Sequence, residues 1–261
     1  MGIIDSTWRS GAWYPTSEGE RLATLRGMSD TSALAKLRNY QRLFEASIAE
    51  ADPAAPVLSC GDWTVRDLVE HLAGVYTWAA HRAGGPKVRL VPGDDLAAHY
   101  AAAAAAIEQT FTELDPDEPC WTLLDDEAPE GRPRLGTRRF WHRRQAMETL
   151  VHLWDLRTAA GLGLEISAED WLDCAEEVVS VMQPRQLRLG RISAPQTQVV
   201  LEPVDGSQLV LAGAPADAAV VTVRGSSEQI ALLLWGRTDA DDLEVTGDRT
   251  ALAAALVGVV P

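Results

Sequence analysis

Residues 140–161, FWHRRQAMETLVHLWDLRTAAG, run for about six helical turns with no Pro and no Gly before Gly161. Trp141, Arg144, Gln145, Glu148, Val151, His152 and Asp155 fall on one helical face, and Ala146, Met147, Leu150, Leu153 and Trp154 on the other. Such a helix has an apolar back, and Trp141, Val151 and Leu156 flank its polar stripe. It is therefore buried on most sides, and other elements must surround it. Acid and imidazole groups on a buried stripe need partners, because unpaired burial is costly. Glu148 and His152 stand four residues apart, a little more than one turn, so both side chains reach a common point. A metal ion is one partner that satisfies both.

Three more amphipathic segments precede this one. Leu34, Leu37, Tyr40, Gln41, Leu43 and Phe44 recur at helical spacing until Pro53 and Pro56. In the second segment Thr64 is an N-cap, with Asp67 completing a capping box; Leu68, Leu72, Val75 and Ala79 form an apolar stripe with His71 at its edge. Gly84, Gly85 and Pro86 close it. The alanine-rich residues 94–114 make a third helix, and the acidic, Pro-containing residues 115–133 a loop. Four such helices predict a bundle, whose core is a usual place for ligands from facing helices.

After Gly163 the texture changes. A helix is expected over 171–181 and strands over 197–202, 208–211 and 219–223. A helix capped by Ser226 or Ser227 follows, then a strand over 243–246 and a last helix after the cap Asp248. The fold class is thus α+β: a helical bundle over 29–162 and a smaller α+β domain over 168–261, behind a flexible extension over 1–28.

Lys and Arg total 23 against 38 Asp and Glu, a net charge of -15, which argues against a nucleic-acid or anionic-membrane surface. Cys60, Cys120 and Cys174 lack CxxC spacing, so neither a disulfide framework nor a thiolate zinc site is expected, and a reducing cytoplasm is the simplest setting. Residues 1–22 do not read as a secretory signal, and the run 101–107 is too short to span a bilayer. No GxSxG, Walker or GxGxxG sequence occurs, and the Glu148–His152 spacing is not HExxH.

An ExxxH pair alone also fits an intrahelical hydrogen bond, and a lone His71 also fits a satisfied core residue. Facing helices would bring His71, Glu148 and His152 within coordination distance, and two imidazoles with one carboxylate leave a tetrahedral zinc an open position. Asp67 and Asp155, one turn from the two histidines, are candidates to accept from their free ring N–H groups. His81, His99 and His142 fall outside this set.

CGDWTVRDLVEHLAGVYTWA around His71, WHRRQAMETLVHLWDLRTAAG around Glu148 and His152, and VRGSSEQIALLLWGRTDADDLEVTGD together resemble the mycothiol-dependent maleylpyruvate isomerase family, within the DinB-like group of metal-binding four-helix proteins. The resemblance spans about residues 30–257. It implies a divalent metal, usually zinc, on His71, Glu148 and His152, mycothiol as thiol cofactor, and a C-terminal domain similar to sterol-carrier folds. It also implies a catalytic Arg from that domain, for which Arg237 is the best match and Arg249 the second; Arg237 equally fits a helix-end cap. The implied function is addition of an activated thiolate to a small electrophile, by isomerisation of maleylpyruvate or by S-conjugation. A monomer without nucleic-acid or membrane partners is expected. The alternatives are a non-catalytic or regulatory metal-binding protein, and a structural bundle whose His and Glu are core hydrogen-bond partners.

Overall fold

The computed structural model describes residues 30–126, 131 and 133–261, so the extension expected over 1–28 lies outside the described residues. Helix α1 (Asp30–Ile48) ends ahead of Pro53, and a 3-10 turn (Leu58–Cys60) leads into α2 (Val65–Arg82). Thr64 accepts from the Asp67 backbone N–H while the Asp67 carboxylate accepts from that of Thr64, which is the expected capping box. Helix α3 (Leu96–Glu113) is capped by Asp95. The stretch read as a loop contains a 3-10 turn (Leu123–Asp125) and a strand β1 (Pro119–Cys120), which pairs antiparallel with β2 (Gly136–Thr137). That pairing delivers the chain into α4 (Arg138–Ala159).

Helix α1 packs on α3 and α4, and α2 packs on the same two, which closes a four-helix bundle. Leu37, Tyr40 and Phe44 from α1, Leu68 and Leu72 from α2, Ile107 from α3, and Trp141 and Leu150 from α4 fill its centre. Each such side chain contributes roughly 1.5–3 kcal/mol relative to exposure. Helix α5 (Ala168–Glu177) lies on α4 as well. Every residue from Trp141 to Leu156 is consequently buried except the half-buried Trp154. A helix carrying this many charged groups tolerates such burial only because neighbouring elements supply counter-charges.

The helix expected over 171–181 begins earlier and continues further: α5 widens into a π turn (Val178–Met182) and proceeds as α6 (Gln183–Arg188). Pro184 does not end it, because Pro stands in the first turn of α6, where a missing N–H is tolerated. A four-stranded sheet follows, in the order β4 (Leu209–Val210), β3 (Gln198–Pro203), β5 (Val220–Gly225), β6 (Glu244–Thr246). The β3–β5 pair is parallel and the two outer pairs are antiparallel. Val199, Leu201, Val221 and Val223 point into the core at the alternation expected of half-buried strands. Helix α7 (Ser227–Leu234), with Ser226 and Gln229 forming a capping box, packs on β5, β3 and α5, and α8 (Arg249–Leu256) packs on β5. Trp235, just past α7, donates from Nε1 to the Cys174 carbonyl on α5 at 3.3 Å. This contact brings the end of α7 to the polar face of α4. The architecture is α+β, an N-terminal helical bundle with a smaller layer of sheet and helices. Among the described residues no helix is long and apolar enough to cross a membrane.

Candidate metal centre

Helix α4 places Glu148 and His152 one turn apart on the face turned toward α2, and α2 presents His71 to them. Glu148 Oε1 lies 3.7 Å from His71 Nε2 and 3.5 Å from His152 Nε2. The two imidazoles meet edge to face with centroids 5.1 Å apart. One ligand atom from each of the three residues falls within 4.8 Å of the others. Zinc bonds of about 2.0–2.2 Å in a tetrahedron put ligand atoms about 3.4 Å apart, so this donor set fits such an ion with small adjustments. The His71 side chain is 35% exposed while those of Glu148 and His152 are at 10% and 9%, so the centre opens to solvent on the His71 side. The Trp63 ring packs on the His71 imidazole at 4.7 Å.

Asp155 orients His152. Its Oδ2 lies 2.9 Å from His152 Nδ1, and since a carboxylate only accepts, Nδ1 carries a proton and Nε2 is the ring nitrogen turned to the cluster. Asp155 is held in turn by Ser59 Oγ at 2.6 Å, Arg237 Nε at 3.1 Å and Arg237 Nη2 at 2.9 Å. Burial alone would raise its carboxyl, but the hydrogen bonds from His152 and Arg237 outweigh burial and hold it at about 2. Glu148 follows the same pattern: burial opposes ionisation, and the Arg144 guanidinium with the two imidazoles keeps its carboxyl well below the usual range. Burial works against the His152 cation, yet Asp155 and Glu148 raise its pKa well above that of a free imidazole.

The expectation that Asp67 orients His71 is not met. Asp67 is exposed and its Oδ2 accepts from Thr64 N at 2.8 Å and Thr64 Oγ1 at 2.6 Å, because the capping geometry turns the carboxylate back along the helix start. Arg237 lies beside the centre and also caps its own helix end, donating from Nη1 to the Trp235 carbonyl at 2.8 Å. Arg249 instead reaches the carbonyls of Ala240 and Leu243. His142 packs against Phe111 at 4.3 Å and His81 Nδ1 lies 3.2 Å from the Gly85 carbonyl, so neither joins the cluster.

Cys60, His152 and Asp155 also bring three candidate ligand atoms together. Arg237 Nη2 stands 3.8 Å from Cys60 Sγ and both Asp155 oxygens are engaged by donors, so a cation there meets a resident positive charge and no free carboxylate lone pair. The first cluster is the better ion site. Sequence reasoning missed Ser59, Cys60 and Trp63. All three precede α2 in a short irregular turn, where no periodic signal marks a residue. Arg144 lay on the legible polar stripe with Glu148, but its other partners, Glu177 and Trp235, did not.

The features above define a four-helix bundle whose inner face gathers two imidazoles and a carboxylate, with an α+β layer supplying the arginine that backs them. The family model for the mycothiol maleylpyruvate isomerase N-terminal domain matches residues 34–157, and that for the C-terminal domain of the same family matches residues 168–254. The chain belongs to the mycothiol-dependent maleylpyruvate isomerase family. It is 29% identical over 131 residues to uncharacterized proteins from two strains of Mycobacterium tuberculosis, an overlap of 49% of this chain and 68% of theirs. The crystal structure of the mycothiol-dependent maleylpyruvate isomerase superposes with a TM-score of 0.62 at 15% identity, over 85% of this chain and 95% of that one. A histidine-to-alanine mutant of that enzyme superposes with a TM-score of 0.61 at the same identity and coverage.

Proposed function

We propose that this protein is a metal-dependent, mycothiol-using enzyme that adds a thiolate to a small electrophile, either isomerising maleylpyruvate about its cis double bond or forming an S-conjugate. The observation that carries the reading is the convergence of His71 Nε2, Glu148 Oε1 and His152 Nε2 at a centre open on one side, in a chain of this family. A divalent ion such as zinc, held by these three residues, supplies when bound a Lewis acid with a vacant position that lowers the pKa of a thiol.

The chain's own residues set the conditions. Asp155 holds the proton on His152 Nδ1 and so keeps Nε2 available, while Arg144 keeps Glu148 ionised. The buried walls of α2 and α4 limit access of water to the thiolate. Arg237 is the proposed catalytic residue. Its Nε and Nη2 donate to Asp155, its Nη1 to the Trp235 carbonyl and its Nη2 also toward Cys60 Sγ, so four of its five N–H groups are engaged and a bidentate grip on a substrate carboxylate requires one of these contacts to be given up. In this reading Arg237 acts instead as a fixed positive charge beside the reacting carbon.

In the isomerase version the thiolate sulfur bonds to one carbon of the double bond as the π pair moves onto the conjugated carbonyl oxygen. Rotation about the new single bond and return of that pair expel the thiolate and leave the trans product. In the conjugation version the carbon–sulfur bond persists. A reducing cytoplasm accords with this chemistry, as Cys60, Cys120 and Cys174 are all free thiols. The test is the metal content of the purified protein, followed by maleylpyruvate turnover and monobromobimane conjugation with and without mycothiol. A bound divalent ion and mycothiol-dependent activity in either assay are expected. A metal-free protein inactive in both would remove the proposal.

A further inference from the structure

Glu148 has two carboxylate oxygens, and the fold divides them. Oε1 faces His71 and His152, whereas Oε2 accepts a hydrogen bond from Arg144 Nη2, one turn earlier on α4. The other terminal nitrogen of Arg144, Nη1, donates to Glu177 Oε2 at 2.8 Å, and the guanidinium lies over the Trp235 ring at 5.4 Å. The Arg144 and Glu148 side chains are each 10% exposed and that of Glu177 is 1% exposed. Glu177 is the last residue of α5, directly before the π turn, an irregularity that is frequent at functional sites.

We infer that Arg144 is a positioning residue that makes Glu148 a one-oxygen ligand, and that Glu177 and Trp235 from the C-terminal part of the chain fix Arg144 in that role. The inference rests on the metal reading above. A carboxylate with both oxygens free turns about its last bond and offers an ion one or two oxygens. A guanidinium hydrogen-bonded to Oε2 removes that choice, and it stays in place because its other edge and its face are already occupied. The planar fork of arginine spans two acids at fixed separation; an ammonium at the same point does not. Together with Asp155 and Arg237, this arrangement makes the C-terminal part of the chain responsible for the aim of both α4 ligands, Glu148 through Arg144 and His152 through Asp155.

The test uses the full chain as wild type, Arg144→Lys and Glu177→Ala. Zinc affinity is measured by competition with a chromogenic chelator, and the visible spectrum is recorded on protein loaded with cobalt(II). Arg144→Lys is expected to bind zinc about 10–100-fold more weakly, the usual consequence of losing a group that orients a ligand. Its cobalt bands lose intensity as the second oxygen of Glu148 joins the ion and raises the coordination number. Glu177→Ala, which frees Nη1, shifts both readouts in the same direction by less. A purely structural role would lower only the melting temperature of the metal-free protein, and wild-type zinc affinity and cobalt bands in Arg144→Lys would overturn the inference. Should Arg144→Lys fail to fold, wild-type values in Glu177→Ala overturn it instead. A wild-type protein that takes up neither ion sinks the metal reading and this inference together. Normal uptake with unaffected variants removes only the role of Arg144.

Discussion

Replacing Asp155 with Asn swaps one oxygen for an amide nitrogen in a place that holds only donors. The Asp155 side chain is 0% exposed. Oδ1 accepts from Ser59 Oγ and Arg237 Nε, and Oδ2 from His152 Nδ1 and Arg237 Nη2. Whichever way the amide is turned, its NH2 group meets an Arg237 N–H, donor against donor. Removing one partner of a buried ion pair costs about 3–5 kcal/mol, and Arg237 keeps its bond to the Trp235 carbonyl, so the lower end, about 3 kcal/mol, applies. For a chain of this size that lowers Tm by about 6–12 °C. When the NH2 group faces His152, the proton moves from Nδ1 to Nε2 and the ligand lone pair is lost, which weakens zinc binding by about 10–100-fold. Thermal melts of the metal-free protein followed by circular dichroism, with zinc competition on the folded protein, measure both effects. An Asp155→Asn variant melting within about 2 °C of wild type and binding zinc as tightly would refute the reasoning.

His152→Ala is expected to lose zinc on dialysis; full occupancy in the variant would show that the ligand set is wrong. Arg237→Ala should weaken zinc binding less than Asp155→Asn, since Ser59 still holds Asp155, yet the zinc-loaded variant should lose about a hundredfold in mycothiol-dependent turnover, and wild-type turnover would take Arg237 out of the chemistry. Burial raises the Glu177 carboxyl from 4.5 to about 7 against the pull of Arg144 and Arg143. The folded protein therefore holds a proton there that the unfolded chain has released, and stability of the metal-free form declines as pH rises from about 4.5 through about 7, by on the order of 3 kcal/mol. Urea melts across that window, repeated on Glu177→Gln, test this: an unchanged pH slope in the variant rules the assignment out. Gly247 sits at φ +111°, and a Cβ there would lie 2.9 Å from the Val220 carbonyl oxygen. Gly247→Ala should cost about 2 kcal/mol in a melt without changing zinc affinity, and an unaltered Tm would contradict the strain.

Much of the fold was legible because its signals are local. Thr64, Ser226 and Asp248 cap helices within three residues of themselves, and Val199, Leu201, Val221 and Val223 alternate along their own strands. The π widening over Val178–Met182 and the continuation of that helix past Val181 through Pro184 were not legible, since a π turn leaves no mark in residue spacing. Asp67 carried two local readings, and the nearer partner, Thr64, took it.

By itself the sequence determined the α4 stripe, the shared turn of Glu148 and His152, and the place of His71 at the edge of its own helix. Those relations follow from 3.6 residues per turn and need no neighbour. Only the tertiary structure decided that His71 faces the other two, that Ser59 and Arg237 meet on Asp155, and that Arg144 divides the oxygens of Glu148. Ser59 and Asp155 lie 96 residues apart, Arg237 and Asp155 lie 82 apart, and Arg144 and Glu177 lie 33 apart. Contacts at such separations depend on how helices cross and where an irregular turn ends, and those depend on the packing of the whole core rather than on any one segment.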